Sequence, residues 1–106
     1  MHLTQTQEKF YDDVKATVIA FGGMETKYSS YPLTINTQAG ILRIKPYFDG
    51  VYLLFESPAK ALALNVPCHR NKGTLSLETP PGASNEDYSK VLEQLKALVQ
   101  PLLNWS

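Results

Sequence analysis

Three apolar-alternating runs within residues 31–56 constrain the fold more than any other part of this sequence. An Ala-Gly dipeptide at 39–40 and an Asp-Gly dipeptide at 49–50 separate the runs. A glycine-containing dipeptide between two alternating runs is a strong hairpin signal. The segment therefore predicts three strands of an antiparallel meander.

Two-residue turns at these dipeptides fix which side chains share a face of the sheet. The predicted cross-strand pairs are Phe48 with Val51, Pro46 with Leu53, Ile44 with Phe55, Ile35 with Ile44, and Leu33 with Pro46. Because side chains alternate with a period of two, one residue more or fewer in a turn would move Ile35 to the face of Arg43 and Lys45. We expect the core side to bury Ile35, Leu42, Ile44, Phe48, Leu53 and Phe55.

The sequence before the meander predicts a helix over about residues 5–21, because apolar residues recur there at helical spacing. Thr4 and Gln7 fit a T-x-x-Q capping box at its start. Gly22 and Gly23 end the pattern. The charged residues lie mostly off the apolar stripe, which is typical of a helix with one buried side.

Residues 57–66 fit two structures. Ser57 followed by Pro58 favours a short helix, since serine is a good N-cap and proline suits the first helical position. The alternation of Leu62, Leu64 and Val66 fits a strand instead. We prefer the helix. Residues 69–73 then form a polar loop, and residues 74–79 alternate as a fourth strand.

The last part of the chain carries the clearest helical pattern. Ser84 or Asn85 caps the helix, and a long apolar stripe follows. Pro101 ends or kinks it near Gln100 and leaves an apolar tail that contains Trp105. The tail can fold back onto the core or seat in a second subunit, and we expect it to fold back. A homodimer through this helix and Trp105 stays open.

These elements predict one α+β domain over residues 1–106. An antiparallel β-meander of about four strands carries an N-terminal helix and a long C-terminal helix, both packed on one face. A chain of 106 residues can close one hydrophobic core but not two.

Composition excludes several classes of function. Ten basic and ten acidic residues give a neutral chain, so no global field draws it to nucleic acid or membrane. No apolar run is long enough to span a bilayer, and the first residues lack the pattern of a secretory signal. Cys68 is the single cysteine, which favours a reducing compartment. We expect a cytoplasmic protein with no membrane contact.

No group of residues identifies a reaction, a metal or a cofactor. His2, His69 and Cys68 are the candidate transition-metal ligands, but none of them has zinc-site spacing. Cys68 and His69 are adjacent, and adjacent side chains on an extended chain point apart, so they do not pair as nucleophile and base. No paired carboxylates or phosphate loop stands out. We therefore predict a non-enzymatic protein, although carboxylates distant in sequence can still converge.

The candidate binding site is the sheet face that the helices leave uncovered. It carries Arg43, Lys45, Tyr47, Tyr52 and Leu54, and the predicted register sets Tyr47 opposite Tyr52. The same register sets Arg43 opposite Glu56. Aromatic rings and arginine carry much of the binding energy at protein interfaces, which predicts a protein partner. An ordinary solvent face is the alternative.

His69, Arg70 and Lys72 form the densest basic loop. Clustered donors before Gly73 can hold a phosphate or a carboxylate, whereas the simpler interpretation is a polar hairpin loop. Together with the tyrosine face, this loop supports a second hypothesis of single-stranded nucleic-acid binding, because aromatic rings stack bases.

The run T-Q-A-G-I-L-R-I at residues 37–44, followed by residues 51–56 and Ala61, resembles small uncharacterised proteins of phages, prophages and plasmids. Those proteins share a T-x-x-G-x-L-x-I hairpin, an F-E or F-D strand and a short helix. They also carry an S-G-K-W-N segment, where this chain has R-N-K-G-T at residues 70–74. The resemblance implies an accessory protein of a mobile element that acts by binding, and it assigns no residue a role.

Overall fold

One antiparallel sheet with two long helices on the same face forms the fold. The computed structural model describes residues 4–27 and 30–103. The elements are helix α1 (Gln5–Ala20), strands β1 (Met24–Glu25), β2 (Leu33–Thr37), β3 (Gly40–Tyr47) and β4 (Gly50–Phe55), helix α2 (Pro58–Ala63), strand β5 (Thr74–Glu78), helix α3 (Asn85–Val99) and a 3₁₀ turn (Gln100–Leu103). The strand order is β1-β2-β3-β4-β5, so chain order and sheet order coincide. The predicted α+β meander is confirmed, with β1 as an additional fifth strand.

Helix α1 begins at the capping box that the sequence predicts. The backbone N–H of Gln7 donates to Thr4 Oγ1 at 3.1 Å, and the backbone N–H of Thr4 donates to Gln7 Oε1 at 2.9 Å. These two bonds satisfy donors that have no partner inside the helix. The helix packs against β2 and β3 and buries its apolar stripe of Phe10, Val14 and Val18.

Helix α3 has a second capping box, which decides between the two predicted caps. The backbone N–H of Ser84 donates to Asp87 Oδ2 at 2.9 Å, and Ser84 Oγ accepts from the backbone N–H of Asp87. Ser84, and not Asn85, is therefore the cap. The helix ends at Val99 and tightens into the 3₁₀ turn that contains Pro101, as predicted. It packs on β4 and β5 beside α1.

Residues 58–63 are helical, so the preferred interpretation of the ambiguous segment is confirmed and the strand alternative is wrong. Ser57 occupies the N-cap and Pro58 the first turn, although the Ser57 side chain makes no capping hydrogen bond. Ala61 is fully buried and joins the core. Burial of this one face explains why a segment of six residues remains helical.

Both hairpins close one residue earlier than predicted. Residues 38–39 and 48–49 form the turns, so that Thr37 pairs with Gly40 and Tyr47 pairs with Gly50. The Thr37 hydroxyl donates to the Gly40 carbonyl at 2.8 Å and accepts from the backbone N–H of Ala39 at 3.0 Å, which holds the earlier turn. Each glycine has positive φ and follows its turn, where a backbone without Cβ is unstrained.

The shift changes every predicted cross-strand pair, but each strand residue stays on its predicted face of the sheet. Ile44 pairs with Leu53 and Leu33, whereas the predicted pairs of Ile44 with Phe55 and Ile35 are wrong. When a two-residue turn moves by one position, the residue that faces a given partner changes by two. Each hairpin therefore keeps the same side chains on the same face of the sheet. Phe48 is the exception among the predicted core residues. It lies in the turn with 36% of its side chain exposed, because the turn includes it.

The two faces of the sheet are therefore chemically distinct. The covered face, which packs on α1 and α3, consists of Leu33, Ile35, Leu42, Ile44, Val51, Leu53 and Phe55, each at most 3% exposed. The open face consists of Met24, Thr34, Asn36, Ile41, Arg43, Lys45, Tyr47, Tyr52, Leu54, Thr74, Ser76 and Glu78. None of these open-face side chains is fully buried.

Candidate binding face of the sheet

The register of the five strands arranges the open face in rows. Residues that pair across an antiparallel ladder project to the same side, so Thr34, Arg43, Leu54 and Thr74 form one row. Lys45, Tyr52 and Ser76 form the next row. The predicted opposition of Arg43 and Glu56 is wrong, because the earlier turn sets Arg43 opposite Leu54.

Three aromatic rings cluster at the turn between β3 and β4. The rings of Tyr47 and Tyr52 lie diagonally, with centroids 6.0 Å apart and planes at 67°. The ring of Phe48 lies 4.6 Å from that of Tyr47. Lys45 Nζ lies 5.1 Å from the Tyr47 ring centroid, within the range of a cation–π contact. The sequence therefore located both tyrosines, although it set them directly opposite each other and placed Phe48 in the core.

Tyr52 is held in place by the turn residue Asp49. Its hydroxyl lies 3.0 Å from both carboxylate oxygens of Asp49. Burial raises the pKa of Tyr52 to about 12, and the hydrogen bond and negative charge of Asp49 contribute in the same direction. The phenol is therefore neutral at physiological pH. Asp49 also joins the turn to the end of β5, since its carbonyl accepts from the backbone N–H and the hydroxyl of Thr79.

The cations of the open face differ from the cations of the helices. Four of the five helix lysines pair with a carboxylate: Lys9 with Asp13, Lys15 with Glu25, Lys90 with Glu86, and Lys96 with Glu93. Among the described residues, Lys60 of α2 has no such pair. Within residues 4–27 and 30–103, no ion pair involves Arg43 or Lys45. Both side chains are half-buried, Arg43 between Thr34 and Leu54 and Lys45 beside Tyr52.

A shallow groove of about 470 Å³ crosses the open face beside β1. Met24, Thr34, Ile41 and Arg43 contribute to its lining. Met24 is 65% exposed. Sequence reasoning did not assign Met24 or Ile41 to this surface. Ile41 has the same parity as Arg43 and so carried a usable signal, whereas Met24 lies in a two-residue strand that no alternation marks.

The basic loop directly precedes Thr74, the β5 member of the row of Arg43, and the backbone N–H of His69 donates to the Thr74 carbonyl at 2.8 Å. His69 Nδ1 accepts hydrogen bonds from the backbone N–H groups of Asn71 and Lys72, at 3.2 and 3.1 Å, so the imidazole holds the loop closed. The loop precedes β5, which is two strands away from the strand that carries Arg43. Among the described residues, no hydrogen bond or ion pair connects Arg70 or Lys72 to the open face.

Cys68 is buried as a free thiol and belongs to the hydrophobic core. In the described part of the chain, no group of three or more histidine, cysteine, aspartate or glutamate residues could hold a metal ion. No helix within that part is long and apolar enough to cross a membrane. His2 and Trp105, which the sequence singled out, lie outside the described residues.

No family model, curated protein or solved structure is significantly similar to this chain. The function of this chain is therefore inferred from the geometry of the open face.

Proposed function

We propose that this chain is a non-enzymatic binding protein that engages another protein through its open face. One observation supports this proposal. Arg43 and Lys45, which have no carboxylate partner in the described structure, lie beside Tyr47 and Leu54 on the half of the sheet that no helix covers. Tyrosine and arginine are enriched among the residues that dominate binding energy at protein interfaces.

Binding of single-stranded nucleic acid receives less support. Tyr47 and Tyr52 can stack bases, but the phosphate contacts would come from a few cations on a chain with no net charge. The sequence assigned Arg70 and Lys72 to the same surface, but among the described residues no hydrogen bond or ion pair joins them to its cations or rings. We therefore treat nucleic acid as an outcome of the test.

The test compares variants in affinity capture from the native host lysate, with and without nuclease. We expect wild type to retain a stoichiometric protein that survives nuclease, and Tyr47→Ala with Tyr52→Ala to lose it. The matched control is Leu62→Ala with Leu64→Ala, which removes two similarly exposed apolar side chains at α2 and should capture normally. All variants are first compared by thermal denaturation.

Equal capture by the tyrosine variant and wild type would overturn the proposed function. Material that nuclease removes would favour the nucleic-acid hypothesis, particularly if its retention falls steeply with salt, because phosphate contacts release counterions.

Three finer expectations stay predictions. An accessory role in a mobile element depends on the resemblance of residues 37–44, and a cytoplasmic location depends on composition. Dimerisation through α3 would have to use the half-buried Leu92 and Leu98, since the main apolar stripe of that helix is buried inside the chain. Sedimentation velocity measures this state directly.

A further inference from the structure

The distribution of ion pairs between the helix side and the open face indicates the charge of the ligand that the open face would bind. Four of the five lysines in the helices have a carboxylate partner within the chain, as Lys15 with Glu25 at 2.6 Å shows. On the open face, Arg43 and Lys45 have no such partner among the described residues. The nearby carboxylate of Asp49 is engaged by the Tyr52 hydroxyl.

The surroundings of the two cations make a carboxylate ligand favourable. Arg43 lies in a row with Thr34 and Leu54, and Lys45 lies in a row with Tyr52. A partner that covers this surface would exclude water from both cations. An ion pair that loses water is stronger than an exposed one, provided that each charge finds a partner, and an unpaired buried cation is costly.

The spacing of the cations limits the geometry of such a partner. Arg43 and Lys45 are two residues apart on one face of β3, which separates their Cα atoms by roughly 6.5 Å. Residues four apart on an α-helix are separated by about 6 Å along the helix axis. Two carboxylates at that spacing on a helix that runs along β3 can therefore contact both cations.

The apolar residues on either side complete the match. Ile41 precedes Arg43 on the open side of β3, and Tyr47, whose ring contacts Phe48, follows Lys45. A helix whose carboxylates meet the two cations would place apolar side chains on these residues if the same helix face is hydrophobic before and after the acidic pair.

We infer that the occupant of the open face is an amphipathic helix of another protein, with two acidic residues four positions apart that pair with Arg43 and Lys45. This inference depends on the proposed function, because it specifies the chemistry of the partner at the same surface. A helix with apolar residues around a central acidic pair satisfies both the charges and the exposed rings, which a phosphodiester backbone alone does not.

The test uses a phage-displayed library of random 16-residue peptides, selected on the whole wild-type chain. Affinities of enriched peptides are then measured by fluorescence anisotropy for wild type and three variants. Arg43→Gln with Lys45→Gln removes the two charges. Lys90→Gln with Lys96→Gln is the matched control, since it removes two cations on the opposite side of the molecule. Tyr47→Ala with Tyr52→Ala removes the rings.

We expect enriched peptides to carry two acidic residues four apart and to bind the Arg43→Gln, Lys45→Gln variant at least tenfold more weakly than wild type. The helix-lysine control should bind within twofold of wild type. Glutamine in place of both peptide acids should remove the difference between wild type and the charge variant.

Four results would overturn the inference: no enriched peptide, enriched peptides that are neutral or basic, equal affinity of the charge variant and wild type, or displacement of the peptide by a 20-nucleotide oligothymidylate that itself needs Arg43 and Lys45. The Tyr47→Ala, Tyr52→Ala variant distinguishes failure of the acidic-helix inference from failure of the proposed protein-binding function. Peptides that ignore the charges but need Tyr47 and Tyr52 would leave the open face as a protein-binding site. Peptides that need neither pair would contradict both.

Discussion

The covered and open faces of the sheet are built by alternate residues of the same strands, yet they differ in nearly every physical property. Ile44 and Leu53 are completely removed from water by the helices, whereas Lys45 and Leu54, one position further along, stay half-exposed. Because the backbone is shared, the difference arises from side-chain parity and from where α1 and α3 pack. Stability and the proposed binding should therefore be separable by substitutions within one strand.

The strongest test of this comparison places a charge on each face in turn. Ile44→Asp buries a carboxylate without a partner and should cost more than about 4 kcal/mol, which is enough to unfold a domain of this size. Lys45→Asp, on the open face, should change the free energy of unfolding by less than about 1 kcal/mol. Chemical denaturation followed by circular dichroism measures both. Similar losses for the two variants would mean that the faces are not distinct.

A milder test truncates two neighbouring leucines. Leu53→Ala leaves a cavity in the core and should cost about 2–5 kcal/mol, because the surrounding side chains relax only partly. Leu54→Ala removes an open-face side chain and should cost about 1 kcal/mol or less. Urea denaturation gives both values. If Leu54→Ala proves the more destabilising change, the open face contributes to the core and is not free for a partner.

Gly50 tests whether any open-face position is structurally fixed. It has φ +147°, and a Cβ placed there would come close to the Leu77 carbonyl oxygen of β5. Gly50→Ala should therefore cost about 1–3 kcal/mol from backbone strain, with the steric contact in addition. Gly82→Ala is the control, since Gly82 also has positive φ but no atom within 4 Å. Equal losses in thermal denaturation would show that strands β4 and β5 can separate at this point.

The smallest expected effect concerns the Tyr52 hydroxyl. Because its pKa is raised from 10.0 to about 12 in the folded chain, the folded state holds the phenol proton more tightly than the unfolded state. This contribution to stability is complete below pH 10 and is lost as the pH rises to about 12. Thermal denaturation between pH 8 and 11.5 should therefore show a steeper alkaline loss for wild type than for Tyr52→Phe. Parallel profiles would contradict the raised pKa of Tyr52 in the folded chain.

The sequence predicted the faces of the sheet more reliably than the neighbours across it. Alternation placed Arg43 and Lys45 on the open side, and N-cap signals located the starts of both long helices. A dipeptide such as Asp-Gly marks a turn but does not say which residue of the turn the glycine occupies. Here Gly50 follows the turn, so Arg43 meets Leu54 and not Glu56.

Site residues in strands with regular alternation could be predicted from the sequence, and site residues outside such strands could not. Strand β1 contains two residues and follows from the path that the chain takes after α1, where the Gly23 N–H donates to the Val18 carbonyl. A strand of two residues has no local sequence pattern, so Met24 was not predicted as an open-face residue. The tie between Asp49 and Tyr52 was also missed, since it depends on the actual turn. The loop of His69 was grouped with the open face by charge alone, and it adjoins that face at Thr74 of β5, two strands from the strand of Arg43.

The coincidence of strand order with chain order has a consequence for how quickly the molecule forms. Each of the first four strands pairs with the strand just before or after it, so these pairs need only short loops to close. Pairing of β5 with β4 requires closure of the longer loop that contains α2. Contact between α1 and α3 requires closure of a loop that spans most of the chain. Low contact order favours rapid folding. We therefore expect the β2-β3-β4 meander to organise first and the helices to dock late, so that substitutions in the two hairpin turns slow folding more than equally destabilising substitutions between the helices.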